Sequence, residues 1–169
     1  MPEPDKREFT FRNPTVSDGA AIWQLVRDTG VLDENSAYAY LLLCQDFAST
    51  CLVAERGSGI EAFVTGYRPP SRPEVLFVWQ VGVAQSARRQ GLALRLLDEL
   101  VSRVSSGGPP IEFVEATVAA SNTASRRLFE ALAKRYGATL VEAEGFVEAD
   151  FPPGDHEAEP LIRIGPLAD

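Results

Sequence analysis

The segment VLFVWQVGVAQSARRQGLALRLLDEL, residues 75–100, decides the fold of this chain. It opens with ten nearly uninterrupted apolar residues, 75–84, which predict a strand buried on both faces of a sheet. From Gly91 the apolar residues recur at helical spacing, so a helix with one buried stripe follows. Between the two elements lie Arg88, Arg89, Gln90 and Gly91. The first N–H groups of a helix have no partner within it, so this junction is predicted to bind an anion.

The rest of the chain predicts alternating strands and helices. Before the quoted segment we expect a strand at 8–13, a helix stopping at Gly30, a helix capped near Asn35 or Ser36, and a hairpin over 51–70. After it we expect a strand at 111–120, a helix over 121–137, a strand at 138–147 and a last strand at 161–165. Without a repeat or a linker, this pattern predicts one α/β domain over residues 1–169.

Composition restricts the class of partner. The chain has 169 residues, 45% of them apolar, and a net charge of −8, so it has enough apolar residues for one substantial core. An acidic surface repels nucleic acid and anionic membranes, and we expect neither as a partner. The acidity suits a cationic substrate, a salt-rich cytoplasm or ordinary solubility, and composition does not choose among them.

Other sequence signals concern location and metals. Residues 1–11 lack the features of a signal peptide, and no stretch approaches the roughly 20 apolar residues of a membrane span, so we expect a cytoplasmic protein. Cys44 and Cys51 are not spaced as metal ligands and are predicted to be reduced core residues. His156 is the single histidine, so we expect no metal.

Residues 88–93, Arg-Arg-Gln-Gly-Leu-Ala, fit the pattern Arg or Gln, two residues, Gly, one residue, Gly or Ala. Placed between this strand and this helix, the motif resembles the GNAT superfamily of N-acetyltransferases. The resemblance implies an α/β (α+β) fold with a mixed central sheet, about four flanking helices and a splayed central strand. It also implies acetyl-CoA as cosubstrate, with its diphosphate held by Arg88, Arg89, Gln90, Gly91, Leu92 and Ala93.

The same resemblance assigns the rest of the coenzyme site. The backbone of Val81, Gly82 and Val83 is expected to pair with the pantetheine arm and polarise the thioester. Asn122 is expected to contact the arm, to cap its helix, or both. Phe129 stands where many relatives carry a tyrosine that protonates the departing thiolate. Phenylalanine has no proton to give, so water or another side chain must serve.

Four separated segments, 32–47, 65–70, 77–83 and 151–166, resemble the diaminobutyrate acetyltransferases within that superfamily. This implies acetyl transfer from acetyl-CoA to the γ-amine of L-2,4-diaminobutyrate, in ectoine biosynthesis and osmoadaptation, by a homodimer. Two alternatives stay open, namely an acetyltransferase for another small diamine or amino acid and a non-catalytic acyl-CoA sensor.

Candidates for the amine site follow from this substrate. Asp33 is a candidate to bind an ammonium group of the substrate, or it is an acid that stabilises the start of a helix. Tyr38, one turn further on, is a second candidate to bind the substrate. Trp79 is a candidate wall beside the reacting amine, and so both a substrate-binding and a catalytic candidate, or it is core. Arg68 is a candidate partner of the substrate carboxylate, or a structural arginine.

Proton transfer is expected from the acidic segment near the C-terminus. His156 and Glu159 are the candidates to orient or deprotonate the amine, with Glu157 beside them. A solvated loop is the simpler interpretation of that segment. Glu115 and Glu144 are alternative acids.

Overall fold

The computed structural model describes residues 8–168. The prediction that residues 1–11 contain no signal peptide therefore falls mostly outside the described residues. The described chain contains seven strands and four α-helices. In chain order they are β1 Thr10–Arg12, α1 Gly19–Thr29, α2 Ala37–Asp46, β2 Leu52–Arg56, β3 Gly59–Tyr67, β4 Val75–Val83, α3 Leu92–Ser106, β5 Phe113–Thr117, α4 Thr123–Tyr136, β6 Leu140–Phe146 and β7 Glu159–Ile164. This order confirms the predicted alternation of strands and helices.

The strands form one mixed sheet in the order β1-β2-β3-β4-β5-β7-β6. The described chain divides into two compact units, the first over residues 8–65 and 80–100 and the second over 66–79 and 101–168. That residues 1–169 form a single domain stays a prediction.

In the first unit, β1 pairs antiparallel with β2, and β2 with β3. The hairpin between β2 and β3 turns through Gly57 in a left-handed conformation, φ 67°, as predicted. Helices α1 and α2 contribute Ile22, Tyr40 and Cys44 to a core that also contains Phe63 of β3. Leu32, in the segment that joins the two helices, packs against this core.

Local capping explains where the helices of the first unit end. Gly30 terminates α1 with φ 66°, where a residue with a Cβ would be strained. Ser36 Oγ accepts a hydrogen bond from the Ala39 N–H over 3.4 Å and so caps α2. Both boundaries confirm the prediction, and they fix the length of the connecting segment that carries Asp33.

In the second unit, β4 runs parallel to β5 over three residue pairs, from Val75↔Phe113 to Phe77↔Glu115. Strand β5 then continues to Thr117, paired antiparallel with β7. The pairing of β4 with β5 thus stops at Phe77, as the predicted splay of the central strand requires. The prediction that residues 75–84 are buried on both faces is wrong at Trp79, which is 41% exposed. A core and a binding surface use the same apolar residues, so an apolar run does not distinguish them.

Glu115 is buried in the second unit and paired with two arginines. Arg72 Nη1 donates to both of its carboxylate oxygens, at 2.9 and 2.8 Å, and Arg163 Nη1 lies 3.5 Å from Oε1. The side chain of Glu115 has no exposed surface. A buried carboxylate needs such pairing, so these contacts give Glu115 a structural role.

Both cysteines are buried thiols, with Cys44 3% and Cys51 2% exposed, which confirms the prediction of reduced core residues. Burial raises the pKa of the Cys44 thiol to about 11. None of the helices described over residues 8–168 is long and apolar enough to cross a membrane. Within the same residues, no group of three or more His, Cys, Asp or Glu side chains could hold a metal ion.

Candidate active site

The junction between β4 and α3 holds its backbone in an uncommon conformation. After β4 ends at Val83, the chain passes through a 3-10 turn, Gln85–Ala87, and enters α3 at Leu92. Arg89 and Gly91 both have left-handed backbone angles, φ 63° and 68°. Arg89 is the single non-glycine residue with positive φ among the residues described. Such a conformation costs about 1–2 kcal/mol in a residue with a Cβ, and strain of this kind concentrates at functional sites.

The shape of this loop fits a diphosphate. Left-handed residues that follow extended or helical ones turn successive N–H groups to the same side, and the start of α3 adds its own N–H groups there. Ala87 and Leu92 are buried and anchor the loop, whereas Arg88, Arg89 and Gln90 are exposed. Of the six residues predicted to bind the diphosphate, 88–91 are thus exposed, Leu92 is buried and Ala93 is half-buried.

Arg88 ties this loop to the end of the central strand. Its Nε donates to the Val83 carbonyl oxygen over 3.3 Å. No heavy atom lies within 4 Å of where a Cβ on Gly91 would be, so its lack of a side chain serves backbone conformation and not packing. The structure therefore brings together the loop residues and Val83 within the first unit.

Gly82, unlike Gly91, is required by side-chain packing. A Cβ at this position would overlap the Phe63 ring and would lie 3.2 Å from Leu32 Cδ1. The Phe63 side chain is fully buried, so it has no room to move away. Gly82 thereby lets Phe63 and Leu32 pack on β4, while its backbone keeps the predicted role toward the pantetheine arm.

The substrate candidates of the first unit lie at the connection between α1 and α2. Asp33 and Tyr38 are both exposed, Tyr38 by 67%. The Asp33 carbonyl oxygen accepts hydrogen bonds from Asn35 Nδ2 at 3.2 Å and from Gln80 Nε2 at 3.0 Å. Sequence reasoning missed Gln80, although an amide within an apolar strand was a visible signal that it has a buried partner.

Arg68 makes structural contacts in the second unit. Its guanidinium donates to the carbonyl oxygens of Pro73, Val104 and Pro109, the last two at 2.8 and 2.7 Å. These bonds fit the structural alternative that the sequence left open. Pairing of Arg68 with a substrate carboxylate stays a prediction.

The structure brings His156 and Glu159 together. The imidazole stacks on Phe151 with ring centroids 3.7 Å apart, and its Nε2 lies 3.7 Å from Glu159 Oε2. Its Nδ1 lies 2.8 Å from the Glu157 carbonyl oxygen. A carbonyl only accepts, so the hydrogen-bond pattern assigns the proton of the neutral ring to Nδ1 and leaves Nε2 basic. A base of fixed tautomer next to a carboxylate can take up a proton.

The backbone at Glu159 is shaped by a strand irregularity. The register of β6 on β7 shifts between Ala143 and Phe146, and Phe146 pairs with Glu159. A Cβ on Gly145 would overlap the Glu159 carbonyl oxygen, so β6 approaches β7 closely only because residue 145 is glycine. Such bulges redirect side chains next to functional sites. Glu144, the alternative acid, lies exposed in the same irregular stretch.

Helix α4 carries the two remaining coenzyme candidates. Asn122 Oδ1 accepts a hydrogen bond from the Ser125 N–H over 3.1 Å, which confirms the predicted cap. The cap uses only the oxygen, so Nδ2 remains a donor for a ligand. Phe129 is 4% exposed and forms the buried face of α4 with Leu132 and Ala133. It contributes apolar packing and no proton.

Comparison with known proteins agrees with this fold. The chain belongs to the acetyltransferase (GNAT) family, which its residues 20–133 match. The mixed seven-stranded sheet with four helices is the GNAT fold that the loop motif predicted.

Relatives within the family are similar over nearly the whole chain. An L-2,4-diaminobutyric acid acetyltransferase from Halalkalibacterium halodurans is 48% identical over 94% of this chain and 82% of its own length. Another of the same name from Streptomyces coelicolor is 49% identical over 95% of each chain. The solved diaminobutyrate acetyltransferase EctA from Paenibacillus lautus, in complex with L-2,4-diaminobutyric acid and coenzyme A, is 44% identical. It superposes with a TM-score of 0.90 over 96% of this chain and 98% of its own.

The loop conformation can be tested at Gly91. Gly91→Ala introduces a Cβ at φ 68° without a steric clash, at a cost of about 1 kcal/mol. The free loop then relaxes, and binding must restore its shape, so we expect the Kd for acetyl-CoA to rise about fivefold by calorimetry. Gly137→Ala is the matched control, since Gly137 has φ 59°, equally open surroundings and no predicted coenzyme contact. An unchanged Kd in Gly91→Ala would contradict the role of the loop.

Proposed function

We propose that this protein transfers the acetyl group of acetyl-CoA to the γ-amine of L-2,4-diaminobutyrate, giving N-γ-acetyl-L-2,4-diaminobutyrate for ectoine biosynthesis. The observation that carries the proposal is the similarity, over 96% of the chain, to an acetyltransferase solved with diaminobutyric acid and coenzyme A. The left-handed loop before α3 supports the same reaction, because it supplies the donors that a diphosphate needs.

Acetyl-CoA supplies the activated acetyl group, and residues of this chain bind the coenzyme. Backbone N–H groups of residues 89–93 bind the diphosphate, the guanidinium groups of Arg88 and Arg89 add positive charge, and Asn122 Nδ2 donates to the pantetheine arm. The backbone of Val81, Gly82 and Val83 polarises the thioester carbonyl. Hydrogen-bond donors aimed at an oxygen that gains charge stabilise the transition state in a way that water cannot match.

The amino acid substrate presents two ammonium groups and a carboxylate. The Asp33 carboxylate binds an ammonium group, with Tyr38 beside it in sequence and the exposed Trp79 ring as an apolar wall that favours a cation over its face. Holding the substrate by a charged end fixes which amine reacts, because a short diamine offers two similar nucleophiles.

The reacting nitrogen is an ammonium at neutral pH, so it must lose one proton before it attacks the thioester and a second proton as the amide forms. An alkyl ammonium has a pKa near 10.4 in water, so at neutral pH a base is required. His156 Nε2 takes the proton, and the Glu159 carboxylate 3.7 Å away stabilises the imidazolium that forms. Phe129 donates no proton to the departing thiolate, so we propose that water relays to the thiolate the second proton, which the nitrogen releases as the C–S bond breaks.

The proposed reaction can be tested with a panel of amines. We expect purified protein to release coenzyme A with L-2,4-diaminobutyrate, and kcat/KM to fall at least about tenfold for ornithine, lysine or a polyamine, because these misplace or lack one charged end. Mass spectrometry and NMR of the product should show acetylation at the γ-nitrogen. A higher kcat/KM on another amine would favour a different acetyltransferase, and acetyl-CoA binding without any turnover would indicate a sensor.

The role of His156 predicts a pH-dependent defect. His156→Gln removes the base, so we expect kcat at neutral pH to fall about 100-fold with an unchanged KM for acetyl-CoA. The defect should shrink toward pH 10, where the amine is increasingly neutral without help. The control is Glu148→Gln, an exposed acid on the neighbouring 3-10 turn. A defect of equal size at every pH would refute proton transfer by His156.

The protein is further proposed to form a homodimer. The family resemblance implies it, and the end of the sheet at β6 supports it. Val141, Phe146 and Val147 are 50%, 53% and 38% exposed there, and an edge strand with exposed apolar residues is a pairing surface. The cytoplasmic location stays a prediction from the sequence, and the role in osmoadaptation stays a prediction that follows from the proposed pathway.

Light scattering after gel filtration tests the dimer. We expect twice the chain mass for the wild type and a shift toward monomer for Val141→Lys, because a charge on an edge strand opposes pairing. Val16→Lys, at a position 47% exposed on a 3-10 turn of the first unit, should leave the mass unchanged. A monomeric wild type would refute the proposal.

A further inference from the structure

A closed ring of hydrogen bonds supports the backbone of Asp33. Tyr40 Oη donates to Gln80 Oε1 over 2.8 Å, and Gln80 Nε2 donates to the Asp33 carbonyl oxygen over 3.0 Å. Asn35 Nδ2 closes the ring by donating to that carbonyl oxygen at 3.2 Å and to Tyr40 Oη at 3.4 Å. The ring joins α2 and β4 to the segment between α1 and α2.

Each group in this ring has one permitted orientation. The Asp33 carbonyl only accepts, so the Gln80 amide must turn its nitrogen toward Asp33 and its oxygen toward Tyr40. Burial raises the pKa of Tyr40, so the phenol keeps its proton and remains a donor. Tyr40 is fully buried and Gln80 is 6% exposed, so water does not compete for the hydrogen bond between these two side chains.

Neighbouring contacts hold the same segment. Trp23 Nε1 donates to the Asn35 carbonyl oxygen over 3.1 Å, and the Leu32 side chain packs beside Gly82. The backbone of residues 32–35 is thus held by contacts with α1, α2 and β4, whereas the side chain of Asp33 is exposed. A fixed backbone with an accessible carboxylate is the arrangement that a small cationic ligand requires.

We infer that Tyr40, Gln80 and Asn35 are positioning residues that hold the Asp33 carboxylate in the orientation that binds an ammonium group of the amino acid substrate. The inference rests on the proposed function, because it takes Asp33 as the ammonium-binding group. Tyr40 is fully buried, so it acts through Asp33 and not by touching the substrate. Losing the ring leaves the carboxylate mobile, and substrate binding then includes the entropy of ordering it.

Kinetics of two variants test this role. Tyr40→Phe removes only the hydroxyl, and Gln80→Met keeps the side-chain length but removes both polar atoms. We expect each to raise the KM for diaminobutyrate about tenfold and to leave the KM for acetyl-CoA unchanged. Thr50→Val is the matched control, since it removes a buried hydroxyl that donates to the Phe47 carbonyl oxygen, outside the ring. Equal changes in both KM values, or the same change in Thr50→Val, would show a merely structural role.

A double-mutant cycle shows whether Tyr40 acts through the carboxylate. In an Asp33→Asn background there is no charge to position, so adding Tyr40→Phe should change the KM for diaminobutyrate less than about twofold. A further tenfold rise in the double variant would overturn the inference. If Tyr40→Phe fails to fold, Gln80→Met replaces it in the same double-mutant cycle.

Hydrogen exchange separates failure of this inference from failure of the proposed function. In Tyr40→Phe we expect the amides of residues 32–35 to exchange about fivefold to tenfold faster, with amides of β2 unchanged. Unchanged exchange at 32–35 would overturn the inference whichever amine is the substrate. A wild type that does not acetylate diaminobutyrate would refute the proposed function alone, and exchange would still decide whether the ring fixes Asp33.

Discussion

The first N–H groups of helix α3 have no hydrogen-bond acceptors within the helix. A bound ligand can provide the missing acceptors. The helix follows a largely buried strand after a short connection, in which Arg89 and Gly91 have left-handed backbone angles. The loop keeps this conformation only if strand β4 is held rigidly. Gly82 lets Phe63 lie directly on it, and the buried Ala87 and Leu92 fix the loop at its two ends. Packing thus sets the shape of the proposed anion site, which consists mainly of backbone.

The proposed amine-binding residues differ from the diphosphate-binding loop, because they act through side chains and not through the backbone. Their side chains lie on irregular segments, at the connection between α1 and α2 and in the turn before β7. Irregular segments are mobile unless they are tied, and here the ties are polar: the ring through Tyr40 and Gln80 holds Asp33, and the Glu157 carbonyl and the Phe151 ring hold His156. Backbone donors suit a diphosphate that many relatives share, and side chains suit a substrate that differs among them.

Sequence patterns predicted the features that depend on residues close together in the chain. Ser36, Asn122 and Gly137 were found at helix ends because capping depends on neighbours within a turn. The loop motif and the order of elements were sufficient to predict the GNAT fold.

Contacts between distant residues were not predicted. Tyr40 and Gln80 are 40 residues apart, and no local pattern pairs them. Glu115 and Arg68 were considered as site residues, and apart from Pro73 the partners described for them come from segments 36–48 residues away, which no local pattern indicates. The exposure of Trp79 depends on where β4 leaves β5, which its own apolar sequence does not show.

The buried cysteines have a practical consequence. Only the thiolate attacks disulfide reagents, and burial keeps Cys44 protonated while Cys51 is 2% exposed. Coenzyme A, by contrast, is released with an accessible thiol. A chromogenic disulfide reagent therefore reports product continuously with little background from the native enzyme, and the rate at which the protein itself becomes labelled reports how often its core opens.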